Sequence, residues 1–199
     1  MRINIGGAKG RGSINPKKDF KTVDLWKGSD YVVDLAFMDL PFETGAIDAV
    51  YTSHTMEHIL PEKVDHVFKE VLRVLAPEGK FRVVVPDIDM AIRAYVENPE
   101  WLENKQHPGK LGVLPDMPIT RLSGWFFTYY SKATKTNCKE DVIFGGHLMA
   151  YNWELLSYML KAAGFSSVER MQYGKLSSEF EGCDMERYKN NSLYVEATK

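Results

Sequence analysis

Cysteine is scarce in this chain, which contains only Cys138 and Cys183 among its 199 residues. The two are far apart and form no C-x-x-C pair, which argues against a disulfide framework and against a cysteine-based metal site. Unpaired thiols are typical of proteins from a reducing compartment. The N-terminal residues also lack the apolar segment of a secretory leader, so we expect a cytoplasmic protein.

Strong charge and long apolar runs are absent as well. The net charge is −2 and the pI is near 6.2, which argues against a nucleic-acid partner held by bulk electrostatics. No apolar run approaches the ~20 residues that a membrane-spanning helix requires. Hydrophobic residues make up 44% of the chain, a value ordinary for a globular protein. We therefore predict one domain over residues 1–199, without a membrane span.

Motifs of two enzyme groups are missing too. No G-x-G-x-x-G follows the first predicted strand, and no Tyr-x-x-x-Lys occurs in the chain. Both are expected of a NAD-dependent sugar dehydrogenase or epimerase, so that function remains only an alternative. Residues 53–56 read SHTM, and the DPPY or NPPY motif of amino-methylating DNA enzymes is therefore absent.

Short apolar strands alternate with amphipathic helices along most of the chain. The predicted strands are 2–5, 20–26, 31–35, 47–51, 81–85, 167–173 and 192–198, and the predicted helices are 62–75, 88–96 and 153–163. The helix over 62–75 is the clearest, because its apolar residues recur on one face. Buried runs such as VVV at 83–85 indicate a parallel sheet covered on both faces. We predict an α/β fold with a doubly wound sheet.

Glycines and acids stand where the first strands end, at the edge where an open α/β sheet binds ligands. Gly6 and Gly7 follow the first strand, and glycine permits a tight turn and close backbone approach to a ligand. Asp24 lies near the end of the second strand, placed to accept hydrogen bonds from ribose hydroxyls. A helix cap or a solvating carboxylate is the alternative for Asp24. Asp34 ends the third strand.

Residues 47–59 carry the densest group of reactive side chains. Ser53, His54, Glu57 and His58 fall within six residues, directly after a strand. The two histidines are four positions apart, but the pattern is not H-E-x-x-H and no third ligand is evident. We therefore predict no metal site.

The regular alternation stops between about residues 98 and 146. This insert contains an aromatic cluster, WFFTYY at 125–130, which either packs the insert down or lines a substrate cleft. A long insert without a strand pattern is a natural lid or substrate wall, and we predict that role for it.

The chain resembles the class I S-adenosylmethionine (SAM)-dependent methyltransferases, in particular their small bacterial members. The matching segments are INIGG (3–7), VDLW (23–26), VVDLAFMDLPFETGAIDAVYTSHTMEHI (32–59), EVLRVLAPEGKFRVVVPD (70–87), LLSYMLKAAGF (155–165) and SLYVEA (192–197). The resemblance implies a Rossmann-like sheet of seven strands with the last strand antiparallel, and an insert between strand 5 and the last helix. It also implies SAM as cofactor and S-adenosylhomocysteine as product.

The resemblance also implies which residues hold the cofactor. Gly6 and Gly7 would lie under the amino-acid portion of SAM, and Asp24 would bind the ribose. Asp34 and Leu35 would lie beside the adenine. Ser53 and His54, at the end of the fourth strand, would lie beside the methyl group. The glycine turn departs from the family pattern, because Ala8-Lys9 stands where a third small residue is usual.

Methyl transfer is an in-line displacement, and alignment of the reacting atoms supplies much of its rate. A hydroxyl or amine acceptor can also require a general base. The candidate catalytic residues are His54, His58, Asp87 and His147. Each has a structural alternative, since histidines also fill cores and Asp87 can cap the helix over 88–96.

The predicted function is SAM-dependent methyl transfer to an oxygen of a small or glycan-like acceptor, such as a nucleotide sugar. The acceptor class, and with it a role in polysaccharide biosynthesis, is implied by the resemblance alone. A non-catalytic, methyltransferase-like protein that binds a partner is the alternative. The altered glycine turn favours that alternative, whereas Asp24, Asp34 and His54 count against it.

Replacing Asp24 with Ala should weaken SAM binding by roughly 10–100-fold, because charge-assisted hydrogen bonds worth ~1.5–3 kcal/mol are lost. Calorimetric titration with SAM measures the change. Normal binding by the variant would mean that the second strand has been placed wrongly.

Overall fold

Seven strands form one mixed sheet in a computed structural model that describes residues 1–7, 19–98, 100, 117–127 and 146–199. The strands are β1 (Arg2–Ile5), β2 (Phe20–Asp24), β3 (Tyr31–Val32), β4 (Ile47–Ser53), β5 (Leu75–Pro86), β6 (Ser167–Met171) and β7 (Ser192–Thr198). Their order is β3-β2-β1-β4-β5-β7-β6. The first five are parallel, and β7 runs antiparallel to both of its neighbours. The predicted seven-stranded Rossmann-like sheet with an antiparallel last strand is confirmed.

Four helices accompany the sheet in the described part of the chain. They are α1 (Pro61–Val74), α2 (Ile88–Glu97), α3 (Pro118–Phe126) and α4 (Trp153–Ala163), and single 3-10 turns occur at Met56–His58, Ser178–Phe180 and Glu186–Tyr188. The bounds of α1, α2 and α4 match the predicted helices to within one residue. Local capping explains this for α4: the Asn152 side chain accepts from the Leu155 amide at 3.0 Å, and Gly164 ends the helix at φ 111°.

Helices α1 and α4 cover one face of the sheet. Phe68 of α1 and Leu160 of α4 are fully buried in a cluster with the inward-facing residues of β1, β4 and β5. Most of the apolar face predicted for residues 62–75 is buried there, as expected for an amphipathic helix on a sheet.

The opposite face is covered by the segment 172–191, which contains no α-helix. The sequence predicts residues 174–191 only as a polar connection between the last two strands. Phe180 and Cys183 of this segment pack on Tyr51, Val84 and Tyr194. The Tyr51 hydroxyl donates to the Cys183 carbonyl at 3.1 Å. Two apolar residues and a polar network thus replace a covering helix.

Arg82 of β5 is the centre of that polar network and is fully buried. Its guanidinium binds Asp184 through two hydrogen bonds of 2.8 and 2.6 Å, and it donates to Glu196 at 2.8 Å. Glu196 in turn accepts from the hydroxyl of Ser177 at 2.6 Å. A buried charge needs such compensation, and Arg82 thereby attaches the covering segment to the sheet.

Three predicted strands are longer than those observed. β2 ends at Asp24 rather than Trp26, β3 at Val32 rather than Leu35, and β6 at Met171 rather than Tyr173. For β2 and β3 the reason is local side-chain bonding: the Asp24 carboxylate accepts from the Trp26 amide at 3.3 Å, and the Asp34 carboxylate accepts from the Ala36 amide at 3.0 Å. Each bond turns the chain out of the sheet.

Only part of the predicted insert is described. Trp125 of α3 is buried against Ile88 and Ala91 of α2, so this part of the aromatic cluster serves packing. Residues 128–130, Cys138 and most of the predicted lid lie outside the described residues. The insert boundaries and the lid role stay predictions. Among the helices that the structure describes, none has both the length and the apolar character needed to cross a membrane.

Replacing Arg82 with Met should lower the free energy of unfolding by about 3–5 kcal/mol, because two buried carboxylates lose their cation. Urea unfolding measures the effect. Lys69 provides a matched control, since its pair with Asp65 is exposed on both sides. Lys69→Met should cost less than about 1 kcal/mol. Equal effects of the two substitutions would contradict the role given to Arg82.

Candidate active site

The turn after β1 is built for glycine at both positions. Gly6 has φ +76°, and a Cβ added there would lie 1.9 Å from Oγ1 of Thr55. A Cβ at Gly7 would lie 2.0 Å from the Asn4 amide nitrogen. The Gly6 amide donates to the Val23 carbonyl at 2.8 Å. The backbone of this turn is therefore held against the loop after β4, at the carboxyl edge of the sheet.

Both predicted acids lie at that edge. Asp24 ends β2 and is 9% exposed, and its carbonyl accepts from the Val33 amide at 3.0 Å, just before Asp34. Leu35 is buried in the main core. The glycine turn and the two carboxylates thus follow three adjacent parallel strands. This arrangement fits an adenosyl group, with the acids near its hydroxyl and amine donors.

His54 follows β4 in a left-handed conformation, with φ 51°. Its ring stacks on Tyr188 at a centroid distance of 3.6 Å, and Nε2 lies 2.8 Å from Oγ of Ser192. Nδ1 lies 3.3 Å from a Glu57 oxygen. Both ring nitrogens of His54 therefore face protein groups. Sequence patterns did not identify Tyr188 or Ser192 as neighbours of the site.

Glu57 forms the centre of a histidine cluster and is 1% exposed. Glu57, His58 and His147 each offer one oxygen or nitrogen atom, and these three atoms lie within 4.8 Å of one another. The His58 and His147 rings meet edge to face at 5.1 Å. Nδ1 of His58 faces the Gly146 carbonyl at 2.9 Å, and Nδ1 of His147 faces the Trp125 carbonyl at 3.0 Å. From the sequence, Glu57 is a further acid–base candidate that either caps the following helix or meets the cofactor, and its burial has no local signal.

Residues 146–151 bring His147 into this cluster. The amides of Leu148 and Met149 donate to the Glu57 carbonyl at 2.7 and 3.2 Å. The Tyr151 hydroxyl donates to the Met56 carbonyl at 3.3 Å, and Tyr151 is 1% exposed. The segment is thus fixed to the turn after β4 by backbone bonds.

Burial and charge set the protonation of the cluster. Burial by itself raises the pKa of Glu57, but His54, His58 and His147 outweigh it and lower the pKa to about 2. Burial lowers the pKa of His147, against the opposing effect of Glu57. We therefore take Glu57 as ionised and His147 as neutral at pH 7.

Asp87 lies after β5 and is 2% exposed. Its Oδ1 accepts from the Asp89 amide at 3.1 Å and caps α2, and its Oδ2 pairs with Arg170 at 3.1 Å. Burial raises the pKa of Asp87, and Arg170 opposes this. The structure thus shows the capping alternative, and a catalytic role for Asp87 stays a prediction.

Comparison with known families gives a match over residues 15–83 to the family model described as "Methyltransferase domain". The match includes Asp24, Asp34 and the whole turn after β4. It ends before Asp87 and His147, and it begins after the glycine turn. No curated protein matches the chain.

Solved structures share the fold at low sequence identity. A SAM-dependent methyltransferase from Thermotoga maritima, titled a possible histamine N-methyltransferase, has a TM-score of 0.54 and 17% identity, covering 100% of this chain and 81% of its own. A Burkholderia thailandensis 1,6-didemethyltoxoflavin-N1-methyltransferase, solved with S-adenosylhomocysteine, has a TM-score of 0.51 and 12% identity, with coverage of 100% and 70%. A SAM-dependent methyltransferase from Archaeoglobus fulgidus has a TM-score of 0.51 and 12% identity, with coverage of 100% and 85%.

The strand order, the acids at the strand ends and the family match agree with one another. Residues 15–83 thus match a methyltransferase domain, and the chain shares its fold with SAM-dependent methyltransferases.

Proposed function

We propose that this chain is a SAM-dependent methyltransferase that methylates an oxygen atom of a small or glycan-like acceptor, such as a nucleotide sugar. The observation that carries the proposal is the placement of two groups along one edge of the sheet. The glycine turn and acids follow β1 to β3, and the histidine cluster lies at the turn after β4, which His147 joins from the segment before α4. A donor site and a group able to accept a proton are what methyl transfer to a hydroxyl requires.

Bound SAM supplies a sulfonium methyl group that is open to nucleophilic attack. In this proposal Asp24 binds the ribose, and Asp34 and Leu35 contact the adenine. The Gly6-Gly7 turn supports the amino-acid portion, and Ser53 and His54 border the methyl group. The tight contact of Gly6 with Thr55 supports the turn's role, because no side chain fits between them.

His58 and His147 are the residues best suited to receive the acceptor proton. A carbonyl oxygen only accepts hydrogen bonds, so the Nδ1 atoms facing Gly146 and Trp125 each carry hydrogen. In the neutral rings Nε2 then holds a lone pair. His54 and Asp87 are the other catalytic candidates, and we propose that they position the acceptor rather than receive the proton, because their polar atoms already face protein groups.

Nitrogen is the competing acceptor atom. The Thermotoga and Burkholderia structures are both named as N-methyltransferases. Two observations favour oxygen here. Residues 53–56 read SHTM instead of an amino-methylating motif, and burial lowers the pKa of His147, which leaves a neutral imidazole to deprotonate a hydroxyl. A cytoplasmic location and a role in polysaccharide biosynthesis belong to the same proposal.

Replacing Gly6 with Ala should weaken SAM binding by more than about tenfold, because the new Cβ collides with Thr55 and shifts the turn. Gly45→Ala is the matched control: Gly45 has φ +77°, yet a Cβ there meets nothing within 4 Å. Both variants should lose about 1–2 kcal/mol of stability from the left-handed conformation alone. Calorimetry with SAM should then separate them, and equal SAM affinities would remove Gly6 from the cofactor site.

A methyl-transfer screen tests the acceptor. Nucleotide sugars, glycan fragments and small amines are incubated with the enzyme and SAM carrying a deuterated methyl group, and the products are read by mass spectrometry. We expect a labelled methyl group on a sugar hydroxyl, and no product with Asp24→Ala at the same SAM concentration. Labelling of amines alone would replace the oxygen proposal with N-methylation.

A further inference from the structure

Three hydrogen-bond acceptors converge on one buried point beside the turn after β4. Glu57 contributes a carboxylate at 1% exposure, and neither of its oxygens accepts a well-aligned hydrogen bond from any described residue. Nδ1 of His54 lies 3.3 Å and Nε2 of His58 lies 3.9 Å from Oε1. A buried carboxylate with so few aligned donors is costly, and a bound cation would compensate its charge.

The two histidines are oriented as metal ligands are. His58 and His147 each direct Nδ1 at a backbone carbonyl, at 2.9 and 3.0 Å. That bond fixes the tautomer and leaves the lone pair on Nε2, which is the second-shell pattern found around metal-bound imidazoles. The carbonyls belong to Gly146 and Trp125, which lie on different segments, so each ring is held independently.

We propose that Glu57, His58 and His147 bind one divalent transition-metal ion of the zinc type. The donor atoms lie within 4.8 Å of one another. Tetrahedral coordination with bonds of about 2.1 Å separates ligand atoms by roughly 3.4 Å, so the side chains move inward by about 1 Å on binding. Two imidazoles with one carboxylate favour Zn²⁺, Fe²⁺ or Co²⁺ over Mg²⁺ and Ca²⁺, which prefer oxygen ligands.

The fourth coordination position has an identifiable direction. The His58 side chain is 29% exposed, whereas Glu57 and His147 are buried, so the ion is open to solvent on the His58 side. Three protein ligands with one open position are typical of catalytic rather than structural zinc. With the ion in place, Nε2 of His58 and of His147 would no longer accept a proton, and an acceptor hydroxyl bound at the open position would release its proton to solvent more readily. This consequence rests on the proposed function. Metal binding itself does not rest on it.

This proposal departs from the prediction of no metal site made from the sequence. That prediction considered the H-x-x-x-H pair His54 and His58, and it found no third ligand. In the structure His54 faces Ser192 and Tyr188, and the ligand set uses Glu57 and His147 in its place.

The test uses the full chain without an affinity tag, stripped by a chelator and then exchanged into metal-free buffer. Zn²⁺ and, separately, Co²⁺ are titrated by calorimetry in the absence of SAM and acceptor, and bound metal is counted after gel filtration. We expect one ion per chain, with no competition from excess Mg²⁺. The variants His58→Gln and Glu57→Gln should bind at least about 100-fold more weakly.

His66→Gln is the matched control, because His66 is a partly exposed histidine of α1 outside the cluster. It should bind Zn²⁺ as the unaltered protein does. Thermal unfolding gives a second measurement: Zn²⁺ should raise the Tm of the unaltered protein and of His66→Gln, but not of His58→Gln. The metal-free Tm of His58→Gln shows that this variant folds.

Two outcomes would overturn the metal site. One is the absence of one-to-one binding by the unaltered protein, and the other is binding that His58→Gln and Glu57→Gln leave unchanged. The titration contains no SAM, so a failure to bind Zn²⁺ would not contradict the proposed methyl transfer. Conversely, a failed acceptor screen with intact Zn²⁺ binding would reject only the acceptor.

Discussion

Glu57 loses its hydration on folding, and a carboxylate in that position must be compensated by protein groups or by a cation. This requirement organises the site. Three histidines gather around one side chain, from the turn after β4 and from the segment before α4. The same residue offers its carbonyl to the amides of Leu148 and Met149. The backbone carbonyl of Glu57 thus joins the two segments, and its carboxylate faces the histidines that they carry.

The opposite face of the sheet also buries a charged side chain, the guanidinium of Arg82. Arg82 is as deeply buried as Glu57, but its partners Asp184 and Glu196 are paired with it directly. That pairing closes a structural network far from the cofactor edge. The contrast is informative, because a buried charge that serves only folding is fully satisfied. Glu57 differs, because neither of its carboxylate oxygens accepts a well-aligned hydrogen bond from a described residue.

The division of the edge follows from the topology of the sheet. The acids follow β2 and β3 on one side of β1, and the histidine cluster follows β4 on the other side, with Asp87 after β5. The glycine turn after β1 lies between them and contacts the loop after β4 through Gly6 and Thr55. The two groups therefore meet at the point where the strand order reverses, which is where open α/β sheets bind ligands.

Much of the fold was readable in the sequence. Apolar periodicity and caps are local, so the helices and most strands were predicted to within a few residues, and Asp24 and Asp34 were placed at strand ends. The polar segment 172–191 was not recognised as the cover of a sheet face, because Phe180 and Cys183 are too sparse to form a pattern. Asp87 was left open between cap and catalyst, since both use the same residue at the same position.

The sequence by itself determined the elements, their α/β class and the acids that end the first strands, because each depends on interactions between near neighbours. Only the tertiary structure decided which histidines meet. Gly146, beside His147, is 88 positions from His58, and its carbonyl orients the His58 ring. No local pattern encodes such a contact. It arises because the segment before α4 returns to the carboxyl edge of β4, where Glu57 is buried and its carbonyl accepts the amides of that segment.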